Sequence, residues 1–208
     1  MNVGAIILAA GKSERFGSPK VLQSFLEQPY TIRILNNLQS AGISSDNVVL
    51  ILGHKFEEFR PQLPDLGSTK IIDNLNYELG QFSSIRAGIA EHTETAVQGV
   101  LMCLVDQPHL LPETFQAVLD AAQDNPEKII IPTYQDRGGH PVFIPEYLFQ
   151  VILDHSDVNT LRDVFNQHRE SIKRISVDDP GLLKDTDYPE DLEDMESLYI
   201  EKHTNSDK

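Results

Sequence analysis

The first side chains that could do chemistry lie in a short loop near the start of the sequence. Lys12, Arg15 and Lys20 alternate there with two glycines, Gly11 and Gly17. Backbone N–H groups exposed by a glycine-rich turn bind phosphate groups well when cations lie nearby. The loop therefore predicts a cradle for a polyphosphate. The alternative is an ordinary junction between a strand and a loop that is rich in glycine and charge.

Two common phosphate-binding patterns do not fit this loop. The Gly-Lys-Ser at 11–13 resembles the end of a P-loop, but that pattern needs a glycine at position 6, where the chain has Ile6. The dinucleotide fingerprint G-x-G-x-x-G fails as well, because Ser13 stands at its second glycine. The loop therefore predicts phosphate binding of another kind.

Two aspartates farther along the chain stand out by their positions. Asp106 follows an apolar run over 99–105, and Asp187 lies in the acidic segment 178–191. Ligands of open α/β sheets collect at the carboxyl ends of the strands, so Asp106 would face the same crevice as the first loop. Each stretch has a plain structural alternative, because Asp106 could cap a turn and the acidic segment could be a solvated loop.

Glycines precede polar side chains in two further stretches. Gly80 with Ser83 and Ser84 can form a helix start whose N–H groups and hydroxyls point at a ligand, although these serines equally suit a simple helix cap. Gly139 and His140 lie in Arg-Gly-Gly-His-Pro, where glycine allows close approach of a ligand and the imidazole can donate or accept a hydrogen bond. A surface histidine in a glycine-rich turn is the alternative there.

The elements expected to position these residues alternate between strand and helix. Short apolar runs predict buried strands at 3–10, 47–53, 69–73, 99–105, 128–133 and 171–177. Helical periodicity predicts helices between most of them, at 31–41, 54–62, after 80, after 112, and at two places between 147 and 168. This order is typical of an α/β fold with a mostly parallel sheet between layers of helices.

Length and composition limit the class of protein. The 208 residues suit a single domain, which we expect over residues 1–200 with a disordered polar tail over 201–208. A net charge of −15 argues against nucleic acid as a partner. Cys103 is the single cysteine and lies in an apolar run, so we expect a buried, inert thiol. No apolar stretch approaches the length of a membrane span, which predicts a cytoplasmic protein without a membrane partner.

The first loop also resembles a known family signature. Leu8-Ala9-Ala10-Gly11-x-Ser13-x-Arg15-Phe16-Gly17-x-x-Lys20 is similar to the signature of MobA-like nucleotidyltransferases, in the branch typified by molybdenum cofactor cytidylyltransferase. Later stretches resemble further family motifs: Gly80 with its serines and Arg-Ala-Gly, Asp106-Gln107-Pro108, Gly139-His140-Pro141, and Asp185-x-Asp187-x-Pro189-Glu190-Asp191-Leu192. The resemblance covers nearly the whole chain and implies a Rossmann-like three-layer α/β/α domain, similar to nucleotide-diphospho-sugar transferases.

The resemblance implies transfer of a nucleoside monophosphate from an NTP to a phosphorylated acceptor, with release of pyrophosphate. The implied acceptor is molybdopterin or molybdenum cofactor, and its product would pass to a molybdoenzyme or its chaperone. Mg²⁺ is the implied cofactor, with Mn²⁺ as the alternative. CTP is the implied nucleotide, because guanylyl-transferring relatives tend to have a glycine where this chain has Ala9 and Ala10.

The family motifs also imply roles for individual residues. Arg15, Lys20 and Asp106 are the implied catalytic residues, and Asp106 with Asp187 would hold the metal. Gly139 and His140 would face the acceptor. The implied nucleotide-binding residues are Leu8, Ala9, Ala10, Gly11, Lys12, Ser13, Gly80, Ser83 and Ser84.

One stretch departs from the family pattern and leaves the acceptor open. Many cofactor cytidylyltransferases have Gly-Asp-x-Gly-Ala-Arg where this chain has Ser156-Asp157-Val158-Asn159-Thr160-Leu161-Arg162. A sugar phosphate or another alcohol phosphate would use the same nucleotide site. A non-catalytic chaperone that binds a nucleotide or a cofactor is a further alternative.

Overall fold

A computed structural model describes residues 1–154 and 160–206. The strands are β1 Gly4–Leu8, β2 Ser24–Phe25, β3 Gln28–Pro29, β4 Val48–Leu52, β5 Lys70–Asp73, β6 Gly99–Leu104, β7 Ile129–Tyr134, β8 Arg137–Gly138, β9 Val142–Pro145 and β10 Ile172–Ser176. The helices are α1 Tyr30–Ser40, α2 Phe56–Phe59, α3 Gln81–Ala90, α4 Pro112–Asp124, α5 Tyr147–Asp154, α6 Leu161–Gln167 and α7 Asp191–Ser206. Strand and helix alternate along most of the chain, as the apolar periodicity predicts.

One large sheet runs through the described residues in the order β10-β7-β9-β6-β1-β4-β5, and β8 pairs with β7. The central strand β1 is parallel to both of its neighbours, β4 and β6. β9 runs antiparallel between β6 and β7, so the sheet is mixed but mostly parallel. The parallel direction brings the carboxyl ends of β1, β4 and β6 to the same edge, where the first loop and Asp106 begin.

The two faces of the sheet are both covered, which explains the continuous apolar runs of its central strands. Every residue of β1 and of β4 is buried. Their side chains alternate between two cores: Ile7 packs in a core with side chains of α1 and α4, whereas Ile6 packs in a core with side chains of α3 and α5. The predicted three-layer α/β/α arrangement is therefore confirmed.

Two parts of the backbone differ from the sequence-based expectations. β2 and β3 form a separate hairpin whose turn residues, Leu26 and Glu27, both have positive φ, at 48° and 62°. Glycine and asparagine, the usual signals for such a turn, are absent from it. α7 continues to Ser206, so the expectation of a disordered tail is corrected for residues 201–206, while 207 and 208 lie outside the described residues. Within the described ranges, no helix is long and apolar enough to cross a bilayer.

Candidate active site

A cavity of about 640 Å³ opens where β1 and β6 end. Its volume suits a ligand of nucleotide size. The loop after β1 forms one side of the cavity, and the start of α3 forms the opposite side. The predicted site residues that line it are Leu8, Ala9, Ala10, Gly11, Lys12, Ser13, Arg15, Lys20, Gly80, Ser84, Asp106 and Asp187. Three other predicted residues, Ser83, Gly139 and His140, are not among its lining residues.

Ser13 determines the shape of the loop after β1. Its backbone lies in the left-handed region at φ 52°, and its carbonyl oxygen accepts hydrogen bonds from the N–H groups of Phe16 and Gly17, each at 3.1 Å. The Ser13 hydroxyl oxygen accepts a hydrogen bond from the Lys20 N–H at 3.2 Å. Gly17, at φ 76°, supplies the conformation that a larger residue would adopt only with strain. These contacts fold the loop so that Lys20 returns to the cavity.

Lys20 joins the two predicted metal ligands. Its Nζ lies 3.0 Å from Oδ2 of Asp106 and 2.9 Å from Oδ1 of Asp187, and its side chain is only 10% exposed. Burial alone would lower the pKa of Lys20, but Asp106 and Asp187 together raise it above its usual value. Arg15 Nη1 donates to Oδ2 of Asp187 at 2.5 Å. The hydrogen bond from Lys20, aided by the charges of Lys20 and Arg15, lowers the pKa of Asp187.

A third carboxylate lies beside this cluster. Burial raises the pKa of Asp185, and the negative charges of Asp106 and Asp187 raise it further. The side-chain amide of Gln107 donates a hydrogen bond to Oδ1 of Asp185 at 2.9 Å. The cations in the first loop therefore face a concentrated negative charge that comes from two separate segments of the chain.

The opposite side of the cavity is built around Tyr77, which sequence reasoning missed. Tyr77, Glu78 and Gln81 all line the cavity. A Cβ atom on Gly53 would lie 2.6 Å from Cβ of Tyr77, so the glycine after β4 provides the space in which this ring sits. The sequence shows Gly53 at the end of a predicted strand. It does not show that the space left by this glycine is filled by Tyr77, which lies 24 positions farther along the chain.

The serines after Gly80 have different roles. Ser84 lines the cavity and is buried. The Ser83 hydroxyl donates to the Gly80 carbonyl oxygen at 2.8 Å and accepts a hydrogen bond from the Asn74 side-chain amide at 2.9 Å. Ser83 therefore stabilises the turn into α3, which is the plain structural role that the sequence left open. Its predicted contact with a nucleotide stays a prediction.

Gly139 lies against the segment that carries Asp187, and His140 is close enough to Asp106 to be affected by its charge. A Cβ atom on Gly139 would lie 2.6 Å from both Cγ and the carbonyl oxygen of Leu182, so only glycine fits there. Burial lowers the pKa of His140 to about 4, although the negative charge of Asp106 opposes this shift. The imidazole is therefore neutral at physiological pH. The stretch Ser156–Arg162 departs from the family pattern and leaves the acceptor open. Most of it lies outside the described residues.

The donor atoms at this site fit a hard divalent cation. Within the described ranges, no three His, Cys, Asp or Glu side chains converge as a ready set of metal ligands. Asp106 and Asp187 nevertheless supply carboxylate oxygens that already hold one cation, the Lys20 ammonium, between them. Mg²⁺ usually takes one or two protein carboxylates and completes its coordination with water and substrate phosphates. Two facing carboxylates beside the cation-rich loop meet that requirement.

The family model for the MobA-like NTP transferase domain matches residues 5–172. The chain belongs to this family. The matched range includes nearly all of β1, the cation-rich loop, Tyr77 and Asp106. The match ends before Asp187, which the geometry alone brings to the site.

Curated relatives of this MobA-like chain are distant. The bifunctional protein GlmU of Francisella tularensis subsp. novicida is 26% identical over 127 residues, which are 60% of this chain and 26% of GlmU. A protein described as a probable molybdenum cofactor guanylyltransferase of Pyrococcus horikoshii is 24% identical over 136 residues, 65% of each chain. The matched part of this chain thus spans about a quarter of the length of GlmU and 65% of the length of the Pyrococcus horikoshii relative, less than two thirds of each.

Solved structures show the same fold across nearly the whole MobA-like chain. Rv0371c from Mycobacterium tuberculosis H37Rv has a TM-score of 0.77 at 23% identity, covering 95% of this chain and 98% of that one. Rv0371c in complex with manganese has a TM-score of 0.65 at 20% identity, covering 85% and 88%. The 4-diphosphocytidyl-2C-methyl-D-erythritol synthase of Anaerococcus prevotii has a TM-score of 0.69 at 15% identity, covering 96% of each chain. The predicted nucleotide-diphospho-sugar transferase-like fold is confirmed.

Proposed function

We propose that this MobA-like protein is a Mg²⁺-dependent cytidylyltransferase. It would move CMP from CTP onto a phosphorylated acceptor of the molybdopterin type and release pyrophosphate, in the cytoplasm. The observation that carries the proposal is the meeting of Arg15 and Lys20 with Asp106 and Asp187 in one cavity of nucleotide size.

In the proposed reaction an oxygen of the acceptor phosphate forms a bond to the α-phosphorus of CTP. The bond from that phosphorus to the oxygen that bridges the α and β phosphates breaks, and its electron pair leaves with pyrophosphate. The attacking phosphate is already ionised near neutral pH, because its second pKa is about 6. The protein therefore contributes position and charge neutralisation rather than covalent chemistry.

Arg15 and Lys20 would neutralise the charge that builds on the leaving pyrophosphate. We expect Lys20 to exchange its bonds to Asp106 and Asp187 for bonds to phosphate oxygens when the nucleotide binds. The backbone around Gly11 and Ser13 would hold the phosphates. When bound by Asp106 and Asp187, Mg²⁺ would supply further neutralisation of phosphate charge. Mn²⁺ is the alternative metal, and the manganese complex of Rv0371c supports a divalent cation in this fold.

The cavity residues also bear on the choice of nucleotide. Ala9 and Ala10 both line the cavity, where guanylyl-transferring relatives tend to have a glycine. The Ala10 side chain is buried, and its Cβ lies 3.1 Å from the Cβ position at Gly53. A methyl group in that position limits the room beside Tyr77, which favours a pyrimidine. GTP is the competing nucleotide, because the Pyrococcus horikoshii relative is named as a guanylyltransferase.

A thermal-shift panel tests the nucleotide. A ligand that binds only the folded state raises Tm by mass action, so CTP with Mg²⁺ should raise it more than GTP, ATP or UTP. A larger shift with GTP would replace CTP in the proposal. Pyrophosphate release is then measured with molybdopterin, a sugar phosphate and an alcohol phosphate in turn. Binding of a nucleotide without release for any of them would favour a nucleotide- or cofactor-binding chaperone.

A further inference from the structure

Asp187 lies in a segment that has no regular backbone structure. The segment connects a short 3₁₀ turn at Pro180–Leu183 to α7, whereas Asp106 lies just beyond the end of β6. A loop residue loses conformational freedom when it must meet a fixed partner, and that loss costs about 1–2 kcal/mol of backbone entropy. Contacts other than a strand or helix must therefore hold Asp187 opposite Asp106.

Lys20 and Arg15 bond to the Asp187 carboxylate itself, whereas Thr186, the residue before it, holds the main chain of the segment. Its backbone N–H donates to the Asp106 carbonyl oxygen at 3.1 Å, and its hydroxyl donates to the same oxygen at 2.9 Å. Both lone pairs of that oxygen are thereby used by one residue. Thr186 is fully buried, so water does not compete for either bond. Thr186 therefore links the main chain of Asp106 to the residue that precedes Asp187.

The rest of the segment is held less directly. The Gln107 side-chain amide donates to the Lys184 carbonyl oxygen at 3.4 Å and to Oδ1 of Asp185 at 2.9 Å. These bonds fasten positions 184 and 185, farther from Asp187. Almost any residue at 186 could supply the N–H bond to Asp106, but only a hydroxyl side chain supplies the second one.

We propose that Thr186 is a positioning residue, whose hydroxyl sets the separation of the Asp106 and Asp187 carboxylates and thereby the affinity of the site for metal-bound nucleotide. The inference rests on the proposed function. Groups that orient metal ligands typically change metal affinity or activity by about 10–100-fold when they are removed. The Thr186 hydroxyl bonds to the main chain of Asp106 and so fixes where Asp187 lies relative to it. Loss of this hydroxyl should therefore change the metal dependence more than the ability of the chain to fold.

Thr186→Val removes the hydroxyl at nearly constant volume, and Thr186→Ser retains the hydroxyl but removes the methyl group. Thr133→Val is the matched control. Thr133 is also buried, and its hydroxyl donates to the Ile175 carbonyl oxygen at 3.0 Å, where β7 lies beside β10. Both valine variants lose one bond between a threonine hydroxyl and a backbone carbonyl, and Thr186→Val also removes the hydroxyl beside the buried Tyr30, so its loss of Tm should be at least that of the control.

The full-length variants are titrated with Mn²⁺ at a fixed concentration of CTP, and the Tm shift and pyrophosphate release are followed. Thr186→Val should need about 10–100-fold more Mn²⁺ for half of the full shift. Thr186→Ser and Thr133→Val should stay close to the wild type. If Thr186→Val does not fold, Thr186→Ala, which also lacks the hydroxyl, is titrated in its place. A serine variant that loses as much Mn²⁺ affinity would overturn the role of the hydroxyl and implicate the methyl group instead.

Two failures are distinguishable. If the wild-type chain shows no metal-dependent shift with CTP, GTP, ATP or UTP, the proposed function fails and the inference fails with it. If the wild type responds and Thr186→Val has the same Mn²⁺ dependence as Thr133→Val, only the positioning role of Thr186 is overturned.

Discussion

Replacement of Lys20 by methionine removes the cation between two carboxylates while keeping an apolar stem of similar length. Oδ2 of Asp106 and Oδ1 of Asp187 lie 3.0 and 2.9 Å from Nζ, so these oxygens are at most about 6 Å apart. Two like charges at that separation repel by about 3 kcal/mol when the effective dielectric constant is about 20. We therefore expect Lys20→Met to lower the free energy of unfolding by up to about 3 kcal/mol at pH 7, because both carboxylates are partly exposed and solvent screens part of the repulsion.

The pH dependence of this loss has a definite sign. In the wild type the pKa of Asp187 is lowered, so its stabilising contribution is present above the unfolded pKa and is lost only as the pH falls through the lowered folded value. Without Lys20, the main cause of the lowered Asp187 pKa is lost and the Asp106 charge opposes ionisation of Asp187, so the folded variant takes up a proton at a higher pH than the wild type. The difference between variant and wild type should therefore shrink from pH 7 to pH 5.

Urea unfolding at pH 7 and pH 5 measures both effects. Lys55→Met is the control, because Lys55 is half-exposed and pairs with Glu58 at 3.0 Å, a type of pair that contributes about 0–1 kcal/mol. Mn²⁺ should restore stability to Lys20→Met more than to the wild type, because the metal no longer competes with the ammonium. A loss no larger than that of Lys55→Met, unchanged by acid and by Mn²⁺, would refute the reading of Lys20 as the counter-ion of this pair.

Four further results are expected. Asp106→Ala should reduce pyrophosphate release by more than about 100-fold while the circular dichroism spectrum is retained, and an active Mg²⁺-dependent variant would contradict its role. Gly139→Ala should lower the free energy of unfolding by about 1–3 kcal/mol in urea titrations, because its Cβ would overlap Leu182. The pKa of His140 is lowered to about 4, so stability should fall as the pH drops from about 6.5 towards 4, and less so in His140→Gln. Burial raises the pKa of the Cys103 thiol, so iodoacetamide should label it only after unfolding in urea.

The fold could be predicted from the sequence wherever burial alone determines the backbone. β1, β4 and β6 are apolar on both faces, and such runs are recognisable without knowledge of their neighbours. β9 is equally apolar, but its antiparallel direction follows from pairing with β6 and β7, which the sequence pattern does not encode. The hairpin of β2 and β3 turns at Leu26 and Glu27, which carry no turn signal.

The candidate site was predictable to the extent that its residues lie at strand ends. Asp106 was found just beyond the end of β6 and Lys20 in the glycine-rich loop that follows β1, and the cavity brings them together. Tyr77 and Thr186 were missed because their roles depend on contacts with residues far away in the sequence, Gly53 and Asp106. A tyrosine at 77 and a threonine at 186 do not indicate a role in the site unless their contacts in the folded chain are known.

The segment that carries Asp187 shows why motifs of this fold depend on one another. Gly139 leaves the space that Leu182 occupies, and Nε2 of the buried His109 lies 3.0 Å from the Gly181 carbonyl oxygen. Thr186 then bonds to Asp106 at the other end of the same segment. Gly139 can therefore affect catalysis without touching an acceptor, because a side chain there would push the segment and separate the two carboxylates. A Gly139→Ala variant that raises the Mn²⁺ requirement but leaves the KM for the acceptor unchanged would support this packing role, whereas the reverse result would assign Gly139 to the acceptor.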